Sequence, residues 1–220
     1  MFNSANTDDT SAVYDSNSGK VVIAYRDTGN SNHGTAIVGT VSGTSISFGS
    51  EAVFNSATTY NPTVTYDTTN QKVVIAYPDS GDSSKGKVIV GTVSGTSISF
   101  GTAVVFNVTE TSQIGSIYDP TNNKVVIAYK DHGNSDYGTT IEGTVSGTSI
   151  SFGSEVVFNN GNTEYTSPVY DSTNNKIVIA YTDAGSSNHG TAVVFSATSQ
   201  TTNLTAVSYT HLTLPTTPYV

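Results

Sequence analysis

The chain has 220 residues, 8 Lys+Arg against 17 Asp+Glu, a formal charge of −9, and neither Cys nor Trp. Without Cys there is no disulfide framework and no thiolate metal site. With Arg26 as its one arginine, the chain lacks the clustered cations that nucleic acid or an anionic membrane surface requires.

No apolar run approaches the roughly 20 residues that a membrane helix needs. The start, MFNSANTDDT, has neither the basic nor the apolar segment of a signal peptide. Thr, Ser, Gly, Asn, Val and Tyr dominate, and helix formers are scarce. β-branched and aromatic residues fit a pleated, half-buried surface, so the chain reads as all-β.

The chain opens inside a repeat, since Phe2 and Asn3 fall 52 residues before Phe54 and Asn55. YDSNSGKVVIAY begins at Tyr14, and its counterparts begin at Tyr66, Tyr118 and Tyr170. GTVSGTSISFG occurs without change from Gly39, Gly91 and Gly143. Every spacing is 52 residues, which divides the chain into units near 1–55, 56–107, 108–159 and 160–206.

One unit reads as four short strands. Strand A is PTVTYD (Pro62–Asp67), and strand B is KVVIAY (Lys72–Tyr77). A polar loop leads to strand C, KVIVGTV (Lys87–Val93), and an SGT turn to strand D, Ser97–Phe106. Strand B is apolar on both faces and should be covered on both. A unit of about 50 residues with four antiparallel strands is the signature of a propeller blade. The expected fold is an all-β β-propeller with four repeats, part of a longer repeat protein. A sandwich of hairpins and a β-solenoid are the alternatives.

The last unit runs normally through GTAVVF (Gly190–Phe195), after which SATSQTTNLTA replaces TVSGTSISFGS. Residues Val207–Thr216, VSYTHLTLPT, resemble the translation of an adapter used in transposon-based sequencing libraries. Residues 207–220 are therefore expected to be a non-native or disordered tail.

The order P-x-V-x-Y-D, KVVIAY, VIVGTVSGTSISFG, VVF resembles the sialidase-like (BNR, or Asp-box) β-propellers. Their box turn corresponds to SGTSISFG (Ser94–Gly101), with Phe100 near the box tryptophan; the box aspartate and tryptophan are absent. The resemblance implies a carbohydrate-related propeller. The family's enzymes hold a carboxylate with three arginines, and one arginine cannot supply that clamp. Repeats of this kind are also similar to repeat regions of marine phage virion and tail proteins.

The B–C loops share Asp27, Asp79, Asp131 and Asp183, again 52 residues apart. Read functionally, they form a ring that binds sugar hydroxyls or Ca²⁺ as a cofactor. One carboxylate per loop falls short of a dedicated Ca²⁺ cage. Read structurally, each closes an Asx-type turn. His33 and His189 occupy equivalent loop tips and are the other binding candidates; no metal site and no catalytic residue is assigned. His132 follows Asp131 in one loop only. The tyrosines ending strands A and B are expected in the core, and Glu142, standing where Val38, Val90 and Val194 stand, is expected on an open face.

The near equality of the units favours a non-catalytic structural or glycan- or receptor-binding module, at a virion or extracellular surface, without enzymatic activity. Expected partners are a glycan or cell-surface receptor and other virion or surface subunits. The alternative is a fragment of a sialidase-like carbohydrate-active enzyme with its catalytic residues elsewhere.

Overall fold

The structure is a computed structural model and describes residues 1–197. The expected tail at 207–220 lies outside the described residues.

The described residues form sixteen strands and no α-helix. The first unit contributes β1 (Thr7–Asp15), β2 (Lys20–Asp27), β3 (His33–Ser42), β4 (Ser45–Phe48) and β5 (Ala52–Thr58). The second contributes β6 (Thr63–Asp67), β7 (Lys72–Asp79), β8 (Lys85–Ser94) and β9 (Ser97–Phe100). Next come β10 (Val104–Asp119), β11 (Lys124–Asp131), β12 (Tyr137–Ser146) and β13 (Ser149–Phe152). The remainder are β14 (Val156–Asp171), β15 (Lys176–Asp183) and β16 (His189–Phe195).

All pairing is antiparallel, and equivalent strands keep the same register: Val21 faces Gly39, Val73 faces Gly91, and Val125 faces Gly143. Strand D departs from the expected continuous element. It pairs with strand C as a short hairpin arm, Ser97–Phe100, and breaks at Gly101, whose N–H reaches Val90 O at 2.9 Å. In the second and third units it then resumes and runs straight into the next unit's strand A, whereas after the first unit β5 ends at Thr58 and β6 begins at Thr63. Thus β10 pairs with β8 through Val104–Glu110 and with β11 through Thr111–Asp119. The unit boundary near residue 107 falls inside this one strand. The C–D hairpin has a two-residue loop opening on glycine: Gly43, Gly95 and Gly147 have φ of 59°, 62° and 60°, a conformation other residues enter at a cost.

Strand B explains how the sheets stack. Val73, Ile75 and Tyr77 of β7 join Val22, Ala24, Ala36 and Val38 of the first unit in one core. Val74 and Ala76, on the opposite face, join Ile127, Tyr129 and Ile141 of the third. Val126 and Ala128 of β11 join Ile177, Ile179 and Val193 of the fourth. An alternating strand would cover only one neighbour; a continuous apolar run covers two.

Among the described residues the sheets do not close into a ring. Tyr14, on the uncovered face of the first sheet, is 60% exposed, whereas its equivalents Tyr66 and Tyr118 are each 6% exposed. Glu142 departs from the expected open position: it pairs with Val126 on the face packed against the fourth sheet and is half-buried. Burial raises its carboxyl pKa, with Asp119 adding to the shift and Lys124 opposing it.

Candidate functional site

The 3₁₀ turn after strand B and the start of the next strand A share one face. Backbone bonds fasten them: Thr59 N–H to Asn32 O at 3.0 Å, Thr111 N–H to Ser84 O at 2.9 Å and Thr163 N–H to Asp136 O at 3.0 Å. Side chains at strand A starts are thereby held against the loops of the preceding unit.

The four aspartates that recur in the loops sit at the base of this face, each preceding a 3₁₀ turn. Asp27 Oδ1 accepts the Asn30 N–H at 3.2 Å. Asp79 accepts the Gly81 N–H at 3.0 Å and Lys87 Nζ at 2.7 Å. Asp131 Oδ1 accepts the Gly133 N–H at 3.0 Å, Asn107 Nδ2 at 3.0 Å and Thr109 Oγ1 at 2.7 Å. Asp183 makes no cap bond and receives only Asn159 Nδ2, at 3.5 Å. Asp27, Asp79 and Asp131 are all buried, and no aspartate of the four bonds another. Asp27, Asp79 and Asp131 therefore organise their own turns (an Asx-type geometry), and Asp183 does not.

His33 and His189 pair in register with Asp27 and Asp183 at the strand ends; His33 is half-buried and His189 exposed. Among the described residues, no group of three or more His, Asp or Glu side chains is disposed to hold a metal ion. The strand B tyrosines pack inward as expected, with Phe54–Tyr77 and Phe106–Tyr129 ring centroids 5.1 Å apart. Burial pushes the Tyr129 hydroxyl pKa far up, and the Glu155 carboxylate it donates to at 2.8 Å pushes it further.

A different set of residues dominates the outer part of the face. Strand A carries a bulge at its start, where the register slips between Asp8 and Ser11, Ser112 and Gly115, and Glu164 and Ser167. At the equivalent position in every unit stands a non-glycine residue in the left-handed region: Asp9, Asn61, Gln113 and Tyr165, with φ of 52°, 41°, 53° and 54°. Such strain is rare for a residue as bulky as tyrosine and gathers where side chains must be aimed.

These are also positions where otherwise matching units differ. The residue before the strained one is Asp8, Tyr60, Ser112 or Glu164; the residue two before the end of strand B is followed by Arg26, Pro78, Lys130 or Thr182; the residue opening the turn is Thr28, Ser80, His132 or Ala184. The structure brings these variable residues into contact. Arg26 reaches Asp8 at 3.1 Å and Asp9 at 3.3 Å, and its guanidinium lies 4.7 Å from the Tyr60 ring centroid. Lys130 reaches Glu164 at 2.7 Å, and Gln113 Nε2 donates to the other Glu164 oxygen at 2.7 Å. Lys87 binds Asp79 and Asp82; burial alone would lower its pKa, but those contacts outweigh it and raise it. Between the second and third units lies a cleft of ≈ 260 Å³, lined by Tyr60, Asn61, Pro78, Ser112, Gln113 and Ile114 among others.

Reading one unit at a time obscured this cluster. The signal that finds it is the contrast between units, because the positions that break the repeat are those that meet here.

No protein-family model matches the sequence, and no curated protein matches it as a relative. Solved structures match the fold. One is an exo-β-1,3-galactanase from Phanerochaete chrysosporium, crystallised with β-1,3-galactotriose: TM-score 0.55, 11% identity, covering 93% of this chain and 50% of that one. The chain thus spans half the length of that structure, which is a β-propeller glycoside hydrolase. The likeness is one of fold, and it is neither to an Asp-box protein nor to a virion protein. It corrects one expectation. Near-equal units favour a module without enzymatic activity, yet the solved structure that shares this strand layout is a glycoside hydrolase. The units are equal in their cores and unequal on the connection face, and catalysis needs inequality only at the face.

Proposed function

We propose that the chain forms successive blades of a carbohydrate-active β-propeller and that its connection face engages a neutral saccharide. The observation that carries this reading is the clustering, on that face, of the residues that differ between units. The strand layout shared with a galactanase supports the substrate class. The chemistry of the face supports it too. Tyr165 is 73% exposed and Tyr60 45%, so both present ring surface on which a sugar can stack. Asp8, Asp9 and Glu164 supply carboxylate acceptors for hydroxyls. An anionic sugar suits the face poorly, since Arg26 and Lys130 are already held by carboxylates.

The test is titration of the chain with β-1,3-linked galacto-oligosaccharides, with gluco- and xylo-oligosaccharides as comparators, followed by NMR or calorimetry. Binding with a Kd of roughly millimolar or tighter is expected, weakened about tenfold or more by Tyr165→Ala or Tyr60→Ala. Absence of binding to every neutral oligosaccharide, or binding that both variants leave intact, refutes the proposal. Release of reducing sugar from the same oligosaccharides, lost in Glu164→Gln, would extend the reading from engagement to cleavage.

A further inference from the structure

On the third unit's part of this face, three side chains form a hydrogen-bonded chain. Ser112 Oγ lies 2.8 Å from His132 Nε2, and His132 Nδ1 lies 2.7 Å from Asp136 Oδ1. The order of atoms matters. With the imidazole neutral and its proton on Nδ1, donated to Asp136, Nε2 is left to accept the Ser112 hydroxyl proton. Asp136 is held in turn by Lys130, whose Nζ stands 3.5 Å from its other oxygen. All three residues are partly accessible. Ser112 also lines the cleft between the second and third units.

None of the three is dictated by the repeat. Positions equivalent to Ser112 carry Asp8, Tyr60 and Glu164; those equivalent to His132 carry Thr28, Ser80 and Ala184; those equivalent to Asp136 carry Asn32, Ser84 and Asn188. Three departures occur together in one unit, and the three side chains meet. Beside them, Gln113 and Ile114 lie in the bulge, and neither has a partner in the β10–β11 ladder. Their peptide N–H groups are the donors nearest in the chain to the serine.

We propose that Ser112, His132 and Asp136 form a catalytic triad that hydrolyses short, uncharged carboxylic esters bound in the cleft. Ser112 Oγ attacks the ester carbonyl carbon as His132 Nε2 takes the hydroxyl proton. The tetrahedral oxyanion is met by bulge N–H groups. The intermediate collapses, the C–O bond to the alcohol breaks, and the alcohol leaves with the proton from His132. Water, deprotonated by His132, then attacks the acyl-serine; the carboxylic acid departs and Ser112 regains its proton. Asp136 fixes the imidazole tautomer and stabilises the imidazolium. At ≈ 260 Å³ the cleft is small for a ligand site, which selects acetyl over long acyl chains.

The proposal is independent of saccharide binding, and its test uses no sugar. The full chain is treated with a fluorophosphonate, which labels activated serines, and the modified peptide is identified by mass spectrometry. Turnover of p-nitrophenyl acetate and octanoate is measured in parallel. The expected result is a single adduct on Ser112, blocked in His132→Ala, with acetate hydrolysed faster than octanoate. Ser112→Ala should lower turnover about 10²-fold or more, and adding His132→Ala should lower it little further. Ser112 lies within β10 beside its bulge, so far-UV circular dichroism checks that each variant is folded. A folded wild-type chain that takes no label on Ser112, or acetate turnover unchanged in folded Ser112→Ala, overturns the proposal.

Discussion

Asp131→Ala and Asp183→Ala remove the same side chain from equivalent positions, yet the structure predicts unequal costs. Asp131 is 6% exposed, and its Oδ1 is the acceptor for three donors: the Gly133 N–H, Asn107 Nδ2 and Thr109 Oγ1. Gly133 sits on an exposed turn, where water replaces the lost bond. Asn107 is 4% exposed, and its amide would be stranded. Bonds to a charged acceptor contribute about 1.5–3 kcal/mol each, so losing the two from Asn107 and Thr109 should cost about 3–6 kcal/mol. Asp183 has no cap bond and one long approach from Asn159, which puts its loss below about 1 kcal/mol. Urea unfolding followed by far-UV circular dichroism gives both numbers from the midpoints, provided the slopes agree. Equal costs would refute the argument that these carboxylates act singly, each through the bonds it makes locally. A shared cation-binding ring would show itself differently, as a Ca²⁺-dependent midpoint lost in both variants.

Glycine at 101 faces the next unit so closely that an added Cβ would lie 2.0 Å from Thr148 O, while at 153 the nearest atom is 3.9 Å away. Gly101→Ala should therefore cost a few kcal/mol and Gly153→Ala almost nothing, read from the same urea midpoints. Glu142→Val, which restores the residue of the other units, should stabilise by about 1–3 kcal/mol at neutral pH. Because burial raises the folded-state pKa of Glu142, its charged form costs stability above that pKa. The gain should shrink as pH falls through the raised value towards the unfolded 4.5, and melting temperatures across that window check it. Tyr129→Phe removes only the hydroxyl bonded to Glu155 at 2.8 Å and should cost about 1–2 kcal/mol, with no change at the connection face by NMR.

Much of the fold can be read from the sequence because the repeat states it several times. The both-faced apolar run KVVIAY predicts sheets covered on two sides, and Val73/Ile75/Tyr77 against Val74/Ala76 divide between two cores as that pattern demands. What the pattern hides is where one unit stops. In β10 and β14 strand D and the next strand A are one element of 16 residues, because backbone pairing passes from one sheet to the next without a turn. The candidate site was harder to read, for a related reason. Recurrence drew attention to Asp27, Asp79, Asp131 and Asp183, and recurrence marks what every turn needs. His132 looked incidental because it occurs once. Its partners Ser112 and Asp136 are 20 and 4 residues away, and only the bulge of strand A and the curl of the 3₁₀ turn bring them together.

The close approach of Gly49 to Thr96, and of Gly101 to Thr148, has a bearing on how such a protein changes over time. Each unit touches its successor through the same pair of surfaces, so a whole 52-residue segment can be copied or lost in frame without creating a mismatched joint. Point substitutions in GTVSGTSISFG have no such freedom, since that string must suit a neighbour as well as its own sheet. The variable residues at the strand A bulges lie outside this constraint. Duplication can therefore lengthen the protein and leave each new face free to acquire its own chemistry, as the third unit has with Ser112, His132 and Asp136.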